Sequence, residues 1–145
     1  MRDPPVERLG FHLEDEQQVF FKDKEHISAV VKKPTVAETK FKQWMVANQK
    51  YPEARSITHA EFPIHFVWDR DHHIWKPRQR KFAIGRLIYV HPGSGELYYM
   101  RILLNVVKGC TSFADIRTVN GVVYSTYKET CYALGLIDDD KEYIE

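Results

Sequence analysis

Along this chain the spacing of apolar positions changes period several times, and each change marks an element. Val6, Arg8, Phe11 and Leu13, then Val19, Phe20 and Phe21, form two short runs separated by Glu14-Asp15-Glu16, a pattern that predicts a β-hairpin. Residues 25–32 suit one or two helical turns, which Pro34 stops. Thr35 and Glu38 then have the spacing of a capping box. Behind them Val36, Phe41, Trp44 and Met45 recur at helical spacing, while Lys40, Lys42, Gln43 and Lys50 are expected to face outward, until Pro52 ends the run. A helix over about 36–50 follows.

From Phe62 to Val90 the period drops to two. Phe62, Ile64, Phe66 and Trp68 alternate with Pro63, His65 and Val67, and Asp69-Arg70-Asp71-His72-His73 makes a polar turn into Ile74-Trp75-Lys76-Pro77. Trp68 and Trp75 are expected to face each other across this hairpin. An apolar strand covers Ile84 to Val90, and Gly85 within it signals a bulge or a close backbone approach.

The stretch Gly93 to Leu136 offers the most apolar surface. Ser94 is a predicted N-cap, and between Leu97 and Val107 only Arg101 and Asn105 are plainly polar. These two lie one turn apart on one narrow stripe, so a core helix over about 95–107 is expected, with Tyr98 and Tyr99 as packing residues and Gly109 as its stop. Phe113 to Ile116 suit a further helical turn. Asn120-Gly121 between Val119 and Val122 is a tight-turn signal. Ser125 is a predicted cap for a helix over about 126–135 ending at Gly135, and Asp138 to Asp140 resemble the acidic start of another. The sum is a single α+β domain: short antiparallel strands and hairpins packed on three or so helices.

Composition adds bounds. The 145 residues, 43% apolar and 13% aromatic, suit one globular domain with a real core. The net charge of +1 hides an asymmetry. Residues 74–117 hold eight cations and two carboxylates, whereas residues 118–145 hold two and six. A basic middle beside an acidic end implies an anionic partner, or mutual pairing. Cys110 and Cys131 are too few for a disulfide scaffold and read as reduced core thiols. The N-terminal residues lack the apolar region of a signal peptide and no 18 apolar residues run together, so a nuclear or cytoplasmic protein is expected.

Catalytic chemistry finds little support. His65, His72, His73 and His91 with Asp69 and Asp71 lack metal-ligand spacing, and adjacent His72 and His73 point to opposite faces of a strand. A relaxase-type nuclease needs two histidines flanking one apolar residue, a triplet this chain lacks. No phosphate-cradling Gly-x-x-x-x-Gly-Lys-Ser/Thr loop occurs, and Gly93-Ser94-Gly95 reads as an ordinary cap. What remains is a cation-rich run interleaved with aromatics: Trp75, Lys76, Arg78, Arg80 and Lys81, flanked by Trp68 and Arg86. Cations that track phosphates beside aromatic faces that stack on bases are the usual arrangement for single-strand binding. The competing reading is a solvated hairpin whose tryptophans are buried.

Several runs carry a family resemblance across about Arg8 to Glu145: Pro52-Glu53-Ala54-Arg55, Phe66-Val67-Trp68-Asp69, Trp75-Lys76-Pro77-Arg78, Ile84-Gly85-Arg86, Gly95 through Asn105, and Thr118 through Tyr124. With these the chain resembles the region of eukaryotic Helitron transposon proteins upstream of their Pif-type superfamily 1B ATP-dependent DNA helicase. The resemblance implies a non-catalytic piece of a longer helicase-type polypeptide, with adjacent nuclease and helicase domains and single-stranded DNA as partners. ATP and Mg are implied only for the helicase motor, and no catalytic, cofactor-binding or metal residue carries over to this chain. The alternative is a structural or protein-interaction module that contacts no DNA.

Overall fold

Phe41, Trp44, Met45, Ala47 and Asn48 all fall on one side of a helix, and all are buried in the computed structural model, which describes residues 4–14, 36–80 and 82–137. That helix, α1 (Val36–Lys50), has the predicted bounds. Thr35 lies outside the described residues, so the structure leaves the capping box untouched. Asn48, polar yet fully buried, is accommodated because its Nδ2 donates to the Cys110 carbonyl at 2.7 Å. The end of α1 is closed by a 3₁₀ turn over Pro52–Ser56. There Arg55 donates from Nε to the Asn48 carbonyl (2.7 Å) and from Nη2 to that of Gln49 (3.0 Å). A cation on the last carbonyls satisfies acceptors the helix itself cannot.

The predicted strand start at Phe62 is a helical turn instead, α2 (Phe62–His65). Pro63 suits the first turn of a helix and not the interior of a strand. The spacing of four brings Phe62 and Phe66 into a parallel stack, with centroids 4.4 Å apart, and leaves Ile64 exposed. The strands proper follow as β2 (Phe66–Asp69) and β3 (Ile74–Pro77), an antiparallel hairpin in which Trp68 lies opposite Trp75, as expected.

The first segment is a strand, β1 (Val6–Leu9), and its partner among the described residues is not local. It pairs in parallel with β4 (Ile84–Leu87), in the register Val6↔Ile84, Glu7↔Gly85, Arg8↔Arg86 and Leu9↔Leu87. The second arm of the predicted N-terminal hairpin, Val19 to Phe21, lies outside the described residues, as do the turns read over 25–32 and the acidic run Asp138 to Asp140. Gly85 marks a close approach: a Cβ there would stand 2.1 Å from the Ala60 carbonyl oxygen and 2.8 Å from the Pro63 ring.

The expected core helix is shorter and more one-sided than its composition suggests. It spans α3 (Glu96–Leu103); Met100, Leu103 and Leu104 are buried, Tyr98 and Tyr99 are half-buried, and Val106 is exposed. Ser94 does not cap it. Ser94 belongs to a 3₁₀ turn over Pro92–Ser94, which the His91 ring closes by accepting from Gly93 N. The N-cap of α3 is Gly95, in a backbone conformation (φ 69°, ψ −133°) that only glycine adopts easily. The polar stripe is structural: Arg101 Nε donates to the Ile88 carbonyl at 2.8 Å, tying α3 to the end of β4.

After α4 (Phe113–Ile116), β5 (Thr118–Val119) and β6 (Val122–Val123) close around Asn120 and Gly121, whose φ angles of 50° and 84° make the predicted tight turn. Helix α5 (Tyr127–Ala133) starts one residue later than expected, with Thr126 as N-cap accepting from Glu129 N. It ends in a Schellman motif: Gly135 N donates to Tyr132 O and Leu136 N to Cys131 O, both at 2.9 Å. Sequence and structure agree on an α+β domain, with one parallel pair among its small sheets.

A second capping interaction locks α5 to α3. The Glu96 carboxylate accepts from Tyr127 N (2.7 Å) and Lys128 N (3.2 Å), so a side chain from one helix supplies acceptors to the open end of another. Removing both acceptors in Glu96→Ala is expected to cost about 1–2 kcal/mol, and Glu96→Gln, which keeps one acceptor oxygen, about half of that. Urea denaturation checks this; equal stability of Glu96→Ala and the unmodified chain would refute the cap.

Candidate nucleic-acid interface

Strand periodicity decides what the β2–β3 hairpin can present. Phe66, Trp68 and Trp75 share one face, and that face is the one packed on the core: Phe66 and Trp75 are 1% and 2% exposed, and Trp68 is half-buried. Trp75 sits edge-on to Phe62 and Trp68, both at 5.3 Å, and its Nε1 donates to the Lys40 carbonyl of α1 at 3.0 Å. Its ring therefore has no face left for a base, which corrects its expected role as a stacking residue. Trp68 remains the hairpin's partly open ring.

Lys40, expected on the solvated side of α1, is instead folded across this aromatic pair. Its ammonium lies 5.6 Å from the Trp68 centroid and 5.8 Å from that of Trp75, and 2.6 Å from Glu7 Oε2 of β1. One cation thus joins α1, β1 and the hairpin.

The opposite face of the hairpin carries the charges. Asp69 organises the turn: its Oδ1 accepts from Asp71 N (3.0 Å) and His72 N (3.1 Å), while Oδ2 meets His72 Nδ1 (2.9 Å) and Lys76 Nζ (3.1 Å). The hydrogen bond from His72, then that from Lys76, hold the Asp69 carboxyl below the usual carboxylate range. Tethered in this way, Asp69 offsets the charge of Lys76, which is otherwise exposed. Arg78 is half-buried, with Nε donating to the Phe66 carbonyl at 3.3 Å, so it also has a structural bond. Arg80 and Arg86 are exposed and have no carboxylate partner among the described residues, and Lys81 lies outside them.

Arg86 belongs to β4, whereas Trp68, Trp75 and Lys76 belong to the β2–β3 hairpin and Arg78 and Arg80 to the segment after it, so the residues read together from sequence do not share one sheet. The parallel register sets Arg8 beside Arg86, a juxtaposition no local pattern could signal, because the two strands are distant along the chain.

Three of the remaining candidate histidines are engaged locally. His91 closes a 3₁₀ turn, His72 pairs with Asp69, and the His73 ring packs 6.3 Å from that of Trp68. No group of three metal-ligating side chains converges among the described residues. A groove of about 670 Å³ runs between α1 and residues 111–117, but its hydroxyls are both bound to Asp115: Thr111 Oγ1 donates to Oδ2 at 2.8 Å and Ser112 Oγ accepts from N at 3.1 Å. Cys110 and Cys131 are buried free thiols, both pushed up to about 12, by burial first and by the neighbouring Asp115 and Glu96 carboxylates second. No helix among the described residues is long and apolar enough to cross a membrane. Compared with known proteins, the chain matches no family model and no curated sequence.

Proposed function

We propose that this chain is a non-catalytic accessory region of a Helitron-like ATP-dependent DNA helicase, one that contacts single-stranded DNA through the cations of residues 76–86. The observation carrying this reading is the exposure of Arg80 and Arg86 without carboxylate partners among the described residues, together with an exposed Lys76 and a partly open Trp68. Unneutralised cations gain most from releasing condensed counterions when they meet phosphates. The resemblance of the runs Phe66 to Asp69, Trp75 to Arg78 and Ile84 to Arg86 to Helitron proteins supports the same partner. In such a polypeptide the adjacent nuclease and helicase domains pack against this region inside the nucleus or cytoplasm, and ATP and Mg serve the motor alone.

Fluorescence anisotropy with labelled oligo-dT across a salt series tests this. Neutralising Lys76, Arg80 and Lys81 to Gln is expected to weaken binding and to lower the salt slope by about 0.7 for each phosphate that is no longer neutralised. Arg78 is left intact because it also ties to the Phe66 carbonyl. Asp69→Asn keeps an acceptor for the turn amides while removing the charge that holds Lys76, so it is expected to tighten binding a few-fold. A triple variant that binds like the unmodified chain rejects the hairpin as the contact.

A second reading is favoured by the burial of Trp75, by the Asp69–Lys76 pair within the hairpin and by the Glu7–Lys40 pair that ties β1 to α1 beside it, all of which serve stability. It is a protein-interaction module packing against the helicase or nuclease domain, and no DNA binding at any salt would establish it over the first.

A further inference from the structure

A two-stranded parallel sheet normally has both faces covered. In the β1–β4 sheet the described residues cover one. Its inner face holds Leu9 and Leu87, 0% and 5% exposed, with Gly85 pressed against the Ala60 carbonyl. Its outer face holds Val6, Arg8, Ile84 and Arg86; Val6 is 51% exposed and both arginines are exposed. The alternation of buried and exposed positions extends back through Ala83 and Phe82, placing Phe82, 46% exposed, on the outer side in line with Ile84 and Arg86.

The register makes Arg8 and Arg86 direct cross-strand neighbours. Like charges directly opposite each other oppose pairing unless an anion joins them. No carboxylate among the described residues does so, and the guanidinium of Arg86 reaches only the Gly85 carbonyl, at 3.3 Å. The backbone beneath is held on its inner side by the Gly85–Ala60 contact and by Ala83 N donating to the Pro63 carbonyl at 3.2 Å. Two arginines are thus carried on neighbouring strand positions of a fixed support, with the Phe82 ring two positions before Ile84 and four before Arg86. Guanidinium forks suit phosphate oxygens, and exposed rings stack on unpaired bases.

We propose that this outer sheet face is a binding site for single-stranded DNA, with Arg8 and Arg86 gripping a backbone phosphate and Phe82 stacking on a base. This deepens the preceding reading, on which it rests, and adds Arg8, a residue from the far end of the chain. The DNA strand lies across the outer face of the β1–β4 sheet.

The test uses the full chain and labelled oligo-dT over a salt series. Arg8→Gln and Arg86→Gln are each expected to weaken binding at low salt by roughly ten-fold and to lower the salt slope by about 0.7. Arg8→Lys with Arg86→Lys should keep the slope, because the charge is retained. Phe82→Leu should weaken binding with the slope unchanged, since stacking releases no counterions. If Arg8→Gln with Arg86→Gln binds like the unmodified chain while the Lys76, Arg80 and Lys81 variant does not, the sheet site is overturned and the hairpin reading stands. Absence of binding by the unmodified chain overturns both.

Discussion

Gly85→Ala is expected to destabilise the domain by about 3 kcal/mol or more. The added Cβ would stand 2.1 Å from the Ala60 carbonyl oxygen, 2.8 Å from the Pro63 Cδ and 3.1 Å from Leu9 Cδ1. Two of these three obstacles are a backbone atom and a proline ring, which cannot rotate away as a flexible side chain would. Relief requires β4 to lift from the 60–63 turn, and β1 must move with it, because the two strands share a hydrogen-bonded register. The inner residues Leu9 and Leu87 would then lose part of their burial as well. Urea unfolding of the variant gives the measure: a shift in stability of less than about 0.5 kcal/mol would mean that the strand relaxes freely and that the approach is not a constraint. The same substitution should blunt the oligo-dT binding assigned to Arg8 and Arg86, since it displaces the strand carrying one of them.

Gly85 also shows how much of the fold a sequence can carry. A lone glycine in an apolar strand announces a bulge or a close approach, and the structure shows which, together with the partner, Ala60. Helix α1 was legible because a 3.6-residue period and the stop at Pro52 agreed. The turn at Asn120-Gly121 was legible because two adjacent positions with positive φ demand those residue types. What was not legible is non-local. A parallel pairing leaves no turn between its strands, so nothing near β1 in the chain signals β4 as its partner. At residues 62–66 the residues at period two also satisfied a spacing of four, and only Pro63 distinguished the helical turn from a strand.

The site followed the same division. Alternation correctly set Trp68 opposite Trp75, but periodicity says which residues share a face and not which face is buried. A face holding Phe66, Trp68 and Trp75 has more apolar area than the domain can leave in water, so it became the core side, and the cations and Asp69 took the other. Arg8 escaped notice because its meaning depends on the register with Arg86. Exposure of the cations could be guessed from their chemistry; their grouping could not.

Acidification is expected to weaken the fold through His59 well before most carboxylates protonate. The imidazole is fully buried, with ring centroids 5.2 Å from that of Phe41 and 5.1 Å from that of Trp44. Its Nε2 lies 3.2 Å from the Gly10 carbonyl oxygen, which can only accept, so the proton of the neutral ring sits on Nε2. Nδ1 is buried without a hydrogen-bond partner, and a second proton there would create a cation among aromatic rings. Burial accordingly lowers the pKa from 6.5 to about 4, against the smaller upward pull of the Gly10 hydrogen bond. The folded chain therefore disfavours the proton that the unfolded chain accepts. Between pH 6.5 and pH 4 the unfolded state binds more protons, so stability rises with pH across that window: it is fully present above about 6.5 and is lost as pH falls towards 4. At 1.36 kcal/mol per unit, moving from pH 7 to pH 5 should remove about 2 kcal/mol through this residue. Urea midpoints measured over that range check the slope, and replacing His59 with Phe, a ring of similar shape that takes no proton, should flatten it. Because Phe cannot donate to Gly10, that variant starts from a lower stability, and so the decisive measurement is the imidazole itself. An NMR titration in which the His59 ring protonates with a midpoint near 6.5 in the folded chain would rule the account out; a ring still neutral at pH 5 is what its burial requires.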